Sequence, residues 1–118
     1  MDNSGTFRVV CGSIERPETP YTFDVFISQS RVWGNFSFLG YSGLLHEEFF
    51  PFVLDKAGRI DFGAAFRLPH RFGFSNIQDI TISVGATVLI TGGRKHGDYV
   101  YRVSSITDVD PVRRHFLG

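Results

Sequence analysis

The sequence predicts a small antiparallel β-barrel of about seven or eight strands with one short helix near residues 42–50; a β-sandwich is the alternative arrangement of the same strands. Three observations predict it. Apolar and polar residues alternate with a period of two through most of the chain, which is the period of a strand. Clusters of turn residues recur roughly every ten positions, too often for long helices or βαβ units. Glycines fall inside the strand-like runs at Gly34, Gly63, Gly73 and Gly85. Sharply coiled strands tolerate a missing side chain, so these glycines favour the barrel over the sandwich.

Each run along the chain has its own signature. In TFRVVCGSI, Phe7, Val9 and Cys11 share one face, and the prolines and charges of ERPETP then require a loop. In YTFDVFIS, Tyr21, Phe23, Val25 and Ile27 alternate with Thr22, Asp24, Phe26 and Ser28, and Gln29-Ser30 turns the chain into RVWGNFSFL. GYSGLLHEEFF holds the predicted helix, with Ser42 as its cap, Leu44, Leu45 and Phe49 at helical spacing, and Pro51 as its stop. PFVL and RIDFGAAF flank Asp55-Lys56-Ala57-Gly58, a hairpin turn in which Gly58 supplies a positive φ. Ile60, Phe62, Ala64 and Phe66 share a face of the second arm. Pro69 interrupts the chain after that arm, leaving RFGF as a short strand. Ile80, Ile82 and Val84 alternate, Gly85 bends the chain, and Val88 and Ile90 resume the pattern. Tyr99, Tyr101 and Val103 answer them beyond the tip GGRKHG, and DVDPVRRHFL reads as an edge strand or tail. The run from Ile82 to Ile90, I-x-V-G-x-x-V-x-I, is similar to a pattern seen in SH3-like and OB-like small barrels. That resemblance covers nine of the 118 residues and implies a small barrel, not a particular family.

Composition bounds the function. With 118 residues, 42% of them hydrophobic and 20% charged, the chain forms one domain over residues 1–118, with 1–5 and 112–118 expected to be the flexible ends. Cys11 is the only cysteine, so an intramolecular disulfide and a cysteine-based zinc cluster are both ruled out. MDNSGTF lacks a basic segment followed by an apolar one, and no stretch approaches the ~20 apolar residues of a spanning helix, so a cytoplasmic protein is expected. Twelve basic residues balance twelve acidic ones, which argues against a nucleic-acid binder held by phosphate contacts. The balance is uneven along the chain: residues 1–55 hold three arginines against seven carboxylates, and residues 56–118 hold nine basic groups against five.

No motif brings a chemistry with it. Gly92 and Gly97 have the spacing of a phosphate-binding P-loop, but Asp98 and Tyr99 stand where lysine and a magnesium-binding hydroxyl are needed, and strands flank the loop where a helix is required. That leaves a cationic hairpin tip of Arg94, Lys95 and His96. His46-Glu47-Glu48 fails as a zincin motif because Phe50 replaces the second histidine, and His46, His70, His96 and His115 show no short metal-ligand spacing. In Gly40-Tyr41-Ser42-Gly43-Leu44 the nucleophile elbow lacks its final glycine. Catalytic residues, metals and cofactors are therefore not expected. Asp24 and Asp61 lie between large apolar neighbours, and strict alternation with Phe23 and Phe62 inside places both carboxylates on the surface.

The strongest anomaly is thirteen phenylalanines against one tryptophan and one methionine. Phe49 and Phe50 are adjacent and point to opposite strand faces, so with Phe52 beyond Pro51 they cannot all enter one core. Surplus aromatics suit an interface. The reading is a non-catalytic binding protein that engages another protein, of immunity or inhibitor type, or a second copy as a homodimer. Phe49, Phe50, Phe52, Arg94, Lys95 and His96 are its expected contacts. The alternative is a barrel whose lumen holds a small apolar molecule, with a cyclase or isomerase as its catalytic form, lined by Phe23, Trp33, Phe36, Phe38, Phe62 and Phe66 with Asp24, Asp61, Tyr99 and Tyr101 as polar selectors.

Overall fold

The computed structural model describes residues 4–33, 36–44, 49–63, 71–92 and 98–109, with the side chains of Phe49 and Asp98 left aside. The strands are β1 (Gly5–Gly12), β2 (Tyr21–Ser28), β3 (Arg31–Val32), β4 (Phe38–Gly43), β5 (Phe49–Leu54), β6 (Arg59–Asp61), β7 (Phe72–Ser75), β8 (Thr87–Gly92) and β9 (Asp98–Asp108). They pair in the order β1-β9-β8-β7-β6-β5-β4-β2, and β1 also pairs with β2, which closes an antiparallel barrel of eight strands; β3 extends from β2 as an extra strand. The predicted barrel is thus the fold, and the sandwich alternative is not formed.

Alternation decides which side chains enter the barrel. Tyr21, Phe23, Val25 and Ile27 of β2 all point inward and are buried, as are Val9 and Cys11 of β1, Val88 and Ile90 of β8, and Tyr101 and Val103 of β9. An eight-stranded barrel has an interior just wide enough for side chains to fill. Aromatic rings fill this one: Tyr21 meets Tyr101 edge-on with centroids 5.3 Å apart, and Phe52 lies 5.8, 5.4 and 5.7 Å from Tyr21, Phe23 and Phe62. Leu54, Ile60 and Ile77 complete the core, and Ile77 sits on a 3-10 turn (Ile77–Asp79). The Ile82 amide donates to the Ser30 carbonyl at 2.7 Å, tying this connection to the β2–β3 turn.

The turns fit the strand pairings they connect. Gln29 and Ser30 both adopt positive φ (54° and 65°), the geometry of a two-residue hairpin whose twist matches the strands. Gly58 turns at φ 89°, while Asp55 Oδ1 accepts hydrogen bonds from the Ala57 and Arg59 amides, each at 2.9 Å. Gly92 and Asp98 belong to the paired strands β8 and β9, so the GGRKHG tip is flanked by strands as expected; residues 93–97 themselves lie outside the described residues.

Three local expectations differ. Of the short helix expected near 42–50, Ser42 and Gly43 instead end β4 and Phe49 and Phe50 begin β5, where β4–β5 pairing takes up their backbone groups, and the helical element among the described residues is the turn at 77–79. Residues 45–48 lie outside the described residues. The alternation at Ile80, Ile82 and Val84 does not make a strand, because Gly85 turns at φ 91° and its amide reaches the Val103 carbonyl across the barrel wall. RVWGNFSFL divides into β3 and β4 instead of forming one strand. At the amino end the barrel begins at Gly5, which pairs with Ile27.

Candidate functional site

The register lines up one exterior row around the barrel. Arg8 pairs with Asp24, Asp24 with Leu39, Leu39 with Val53, Val53 with Asp61 and Asp61 with Phe72, from β1 across β2, β4, β5 and β6 to β7. Each step between strands is about 4.8 Å, so Leu39 and Val53 stand side by side in the middle of the row, and Asp61 separates them from Phe72 at its end. All three are exposed, Leu39 by 67%, and Phe74 joins them from the next outward position of β7. Toward the β2–β3 end, Trp33 and Phe36 are each half exposed. Trp33 packs on Phe26 at 5.9 Å and on Phe36 at 5.4 Å.

Charged groups hold this face in one geometry. Arg8 grips Asp24 through two hydrogen bonds, Nε to Oδ1 at 2.9 Å and Nη2 to Oδ2 at 3.0 Å; that contact raises the guanidinium pKa above its already high ordinary value. Asp61 Oδ1 accepts from Arg71 Nε and from the Gly63 amide, both at 2.8 Å, while Arg71 Nη2 reaches Oδ2 at 3.2 Å. The Arg71 hydrogen bond, followed by that of Gly63, holds the Asp61 carboxyl below the usual carboxylate range. Arg59 pairs with Asp55 at 3.3 Å. The guanidinium carbons of Arg71 and Arg59 stand 4.7 and 4.8 Å from the Phe72 ring centroid, so Phe72 is flanked by two cations, each fixed by its own carboxylate. The result is a charge-balanced face that mixes exposed apolar side chains with ion pairs, with the aromatic and arginine content that protein interfaces concentrate.

The expected contacts are distributed differently. Phe52 is 3% exposed and lies at the centre of the lumen cluster, so it is a core residue and not a partner contact: parity in β5 sends Phe52 in and Pro51 and Val53 out. Phe50 is half-buried against the core. Arg94, Lys95, His96 and Phe66 lie outside the described residues, as does the Phe49 side chain. Of the residues expected to line a lumen, Phe23, Phe62 and Tyr101 do so and Phe38 packs against the core, whereas Trp33 and Phe36 face outward. Asp24 and Asp61 are on the exterior, as alternation requires. The Tyr101 hydroxyl donates to the Thr19 carbonyl at 2.9 Å, and burial pushes its pKa up. Tyr99 is half-buried, with Arg16 hydrogen-bonded to its hydroxyl and stacked 4.3 Å from its centroid. Ser42, suggested as a helix cap, points into the core with its hydroxyl buried and unpartnered.

Leu39, Val53, Phe72 and Phe74 escape a reading of the sequence. A usable signal exists in Phe72-Gly73-Phe74: the parity that directs Gly73 inward, where it is buried between Ile60 and Gly92, sends both phenylalanines out. No family model, no curated protein and no solved structure matches the chain significantly.

Proposed function

We propose that this protein is a non-catalytic binding module that docks a partner protein against the exterior face built by Leu39, Val53, Phe72 and Phe74. The observation that carries this reading is the in-register row itself: Leu39 and Val53 exposed side by side on adjacent strands, Phe72 exposed beyond Asp61 in the same row, and arginines paired with carboxylates along it. Such a face gives up little side-chain entropy on binding, because Arg59, Arg71 and Phe72 are already immobilised against one another. Its charge balance selects a partner surface that is itself largely apolar and near neutral. The lumen, by contrast, is occupied by the rings of Tyr21, Phe23, Phe52, Phe62 and Tyr101, in the space an apolar guest would need. An inhibitor or immunity-type protein, acting by stoichiometric occlusion of its target, is the form that best suits a rigid barrel with its binding groups outside. The cytoplasm is the compartment proposed for it, supported by a single cysteine that is buried in the core.

The test is native mass spectrometry of the protein isolated from its source cells, with wild type beside Leu39→Asp and Val53→Lys. A stoichiometric protein that accompanies wild type and is lost from both variants is the expected result. A co-purifying apolar small molecule, or a partner retained equally by both variants, would overturn the proposal.

A further inference from the structure

A second apolar feature lies on the other side of the barrel. Gly12, Ser13, Ile14, Glu15 and Pro17 of the β1–β2 connection and Val100, Arg102, Val103 and Ser104 of β9 line an open groove of about 600 Å³. In the ring of eight strands β9 is diametrically opposite β5, so the groove is separate from the face around Val53. Its wall carries Val100, half exposed and paired across the strands with the equally exposed Leu89. At its rim Ile14 is 98% exposed, an apolar knob with almost no cover of its own.

We infer that this groove is a homodimer interface, in which Ile14 of each copy enters the groove of the other. A knob and a groove on the same patch are self-complementary under a two-fold axis, which is the requirement of an isologous dimer. The charges agree with that arrangement: Glu15 neighbours the knob and Arg102 lines the same groove, so the patch carries both signs of charge, and a two-fold axis that seats Ile14 in the opposite groove would set Glu15 of one copy against Arg102 of the other, twice over. Equal numbers of acidic and basic residues in the chain leave no net repulsion to oppose the association. Because the Leu39–Val53 face remains outward in such a dimer, each assembly would carry two copies of it.

Sedimentation equilibrium over a series from low micromolar to several hundred micromolar protein tests this directly. Wild type is expected to dimerise reversibly. Ile14→Asp is expected to weaken association beyond about tenfold, as truncation of a central apolar anchor does. Glu15→Arg and Arg102→Glu, each placing like charges together, are expected to weaken it similarly, and the double variant Glu15→Arg/Arg102→Glu to restore it to within about threefold of wild type. Far-UV circular dichroism confirms that each variant is folded. A monomer at every concentration, or a dimer indifferent to Ile14→Asp, overturns the inference. So does a double variant no better than the single ones. None of these outcomes bears on the opposite face, whose own variants test it separately.

Discussion

Gly40→Ala is the sharpest test of how the barrel is packed. Gly40 sits in the middle of β4, opposite Phe23 on β2 and Phe52 on β5, on the inward side. A methyl group built there would stand 2.6 Å from two atoms of the Phe52 ring and closer still to the backbone oxygen of Thr22. Real β-carbons do not approach other atoms so nearly, so the neighbours must yield. Phe52 has little room to do so, because Tyr21, Phe23 and Phe62 surround it at 5.4–5.8 Å. Thr22 moves only if β2 moves, and β2 is paired on both sides. Overpacking a well-filled core costs typically 1–3 kcal/mol, and a site where neither neighbour can retreat belongs at about 3 kcal/mol. For a domain of this size that corresponds to a Tm lowered by roughly 10 °C in a thermal melt. Gly12→Ala is the control, since nothing lies within 4 Å of the added methyl. It is expected to leave stability unchanged or to raise it by up to about 1 kcal/mol, through the reduced freedom of the unfolded chain. Adding Phe52→Leu to Gly40→Ala is expected to recover part of the loss that the ring contact causes, giving a clearly non-additive pair. A Gly40→Ala protein whose Tm lies within about 2 °C of wild type would refute the packing described for the lumen.

Two further outcomes concern the ionisable groups. Because Arg71 and Gly63 hold Asp61 below the usual carboxylate range, the native state stays deprotonated where the unfolded chain has begun to bind a proton. The associated stability is present above about pH 4 and is lost as pH falls through the lower, folded value, so Asp61→Asn should flatten the acid limb of a stability-versus-pH curve measured by urea titration; an unchanged limb would count against the Asp61–Arg71 contact. Burial pushes the Cys11 thiol up to about 12, and the residue is 0% exposed. Ellman's reagent is therefore expected to leave the native protein unmodified and to react with one thiol per chain in denaturant, whereas rapid native labelling would show that β1 is not packed as described.

The fold is legible where side-chain parity and turn chemistry act together. YTFDVFIS alternates without a break and becomes β2 over the same residues, and Asp55 to Gly58 turns as its residue types require. Legibility fails where a local pattern competes with long-range pairing. Leu44, Leu45 and Phe49 have helical spacing, but the chain around them is bounded by β4 and β5, which pair with each other from Phe38 opposite Leu54 to Gly43 opposite Phe49. Helix propensity is a weak prior against a complete ladder of strand hydrogen bonds. The candidate site is less legible still. Phe52 reads as a partner contact because it stands in an aromatic cluster, and only the register shows that parity buries it. Leu39 and Val53 have no motif to announce them. They matter because they sit on neighbouring strands in the same row, a relation between residues 14 positions apart that the sequence does not display.

The phenylalanine excess has a geometric resolution. An eight-stranded lumen has a fixed capacity, and here Tyr21, Phe23, Phe52, Phe62 and Tyr101 fill much of it with rings in contact. Phe72, Phe74, Trp33 and Phe36 remain on the exterior while aliphatic residues complete the inside. Exposed apolar surface of this kind is a liability on an open sheet, because unpaired edges and apolar faces together invite edge-to-edge aggregation. Closure removes the first hazard: each of the eight barrel strands has a neighbour on both sides, and the extra strand β3 is only two residues long. Association through strand addition is thereby disfavoured, which puts the weight on contact between side chains. Such contact is directional, because the ion pairs Arg8–Asp24 and Asp61–Arg71 interrupt the apolar row at fixed positions and penalise any partner that covers them without matching their polarity. In the docking role proposed for it, a closed barrel can in this way keep large apolar groups on its surface and still discriminate among partners.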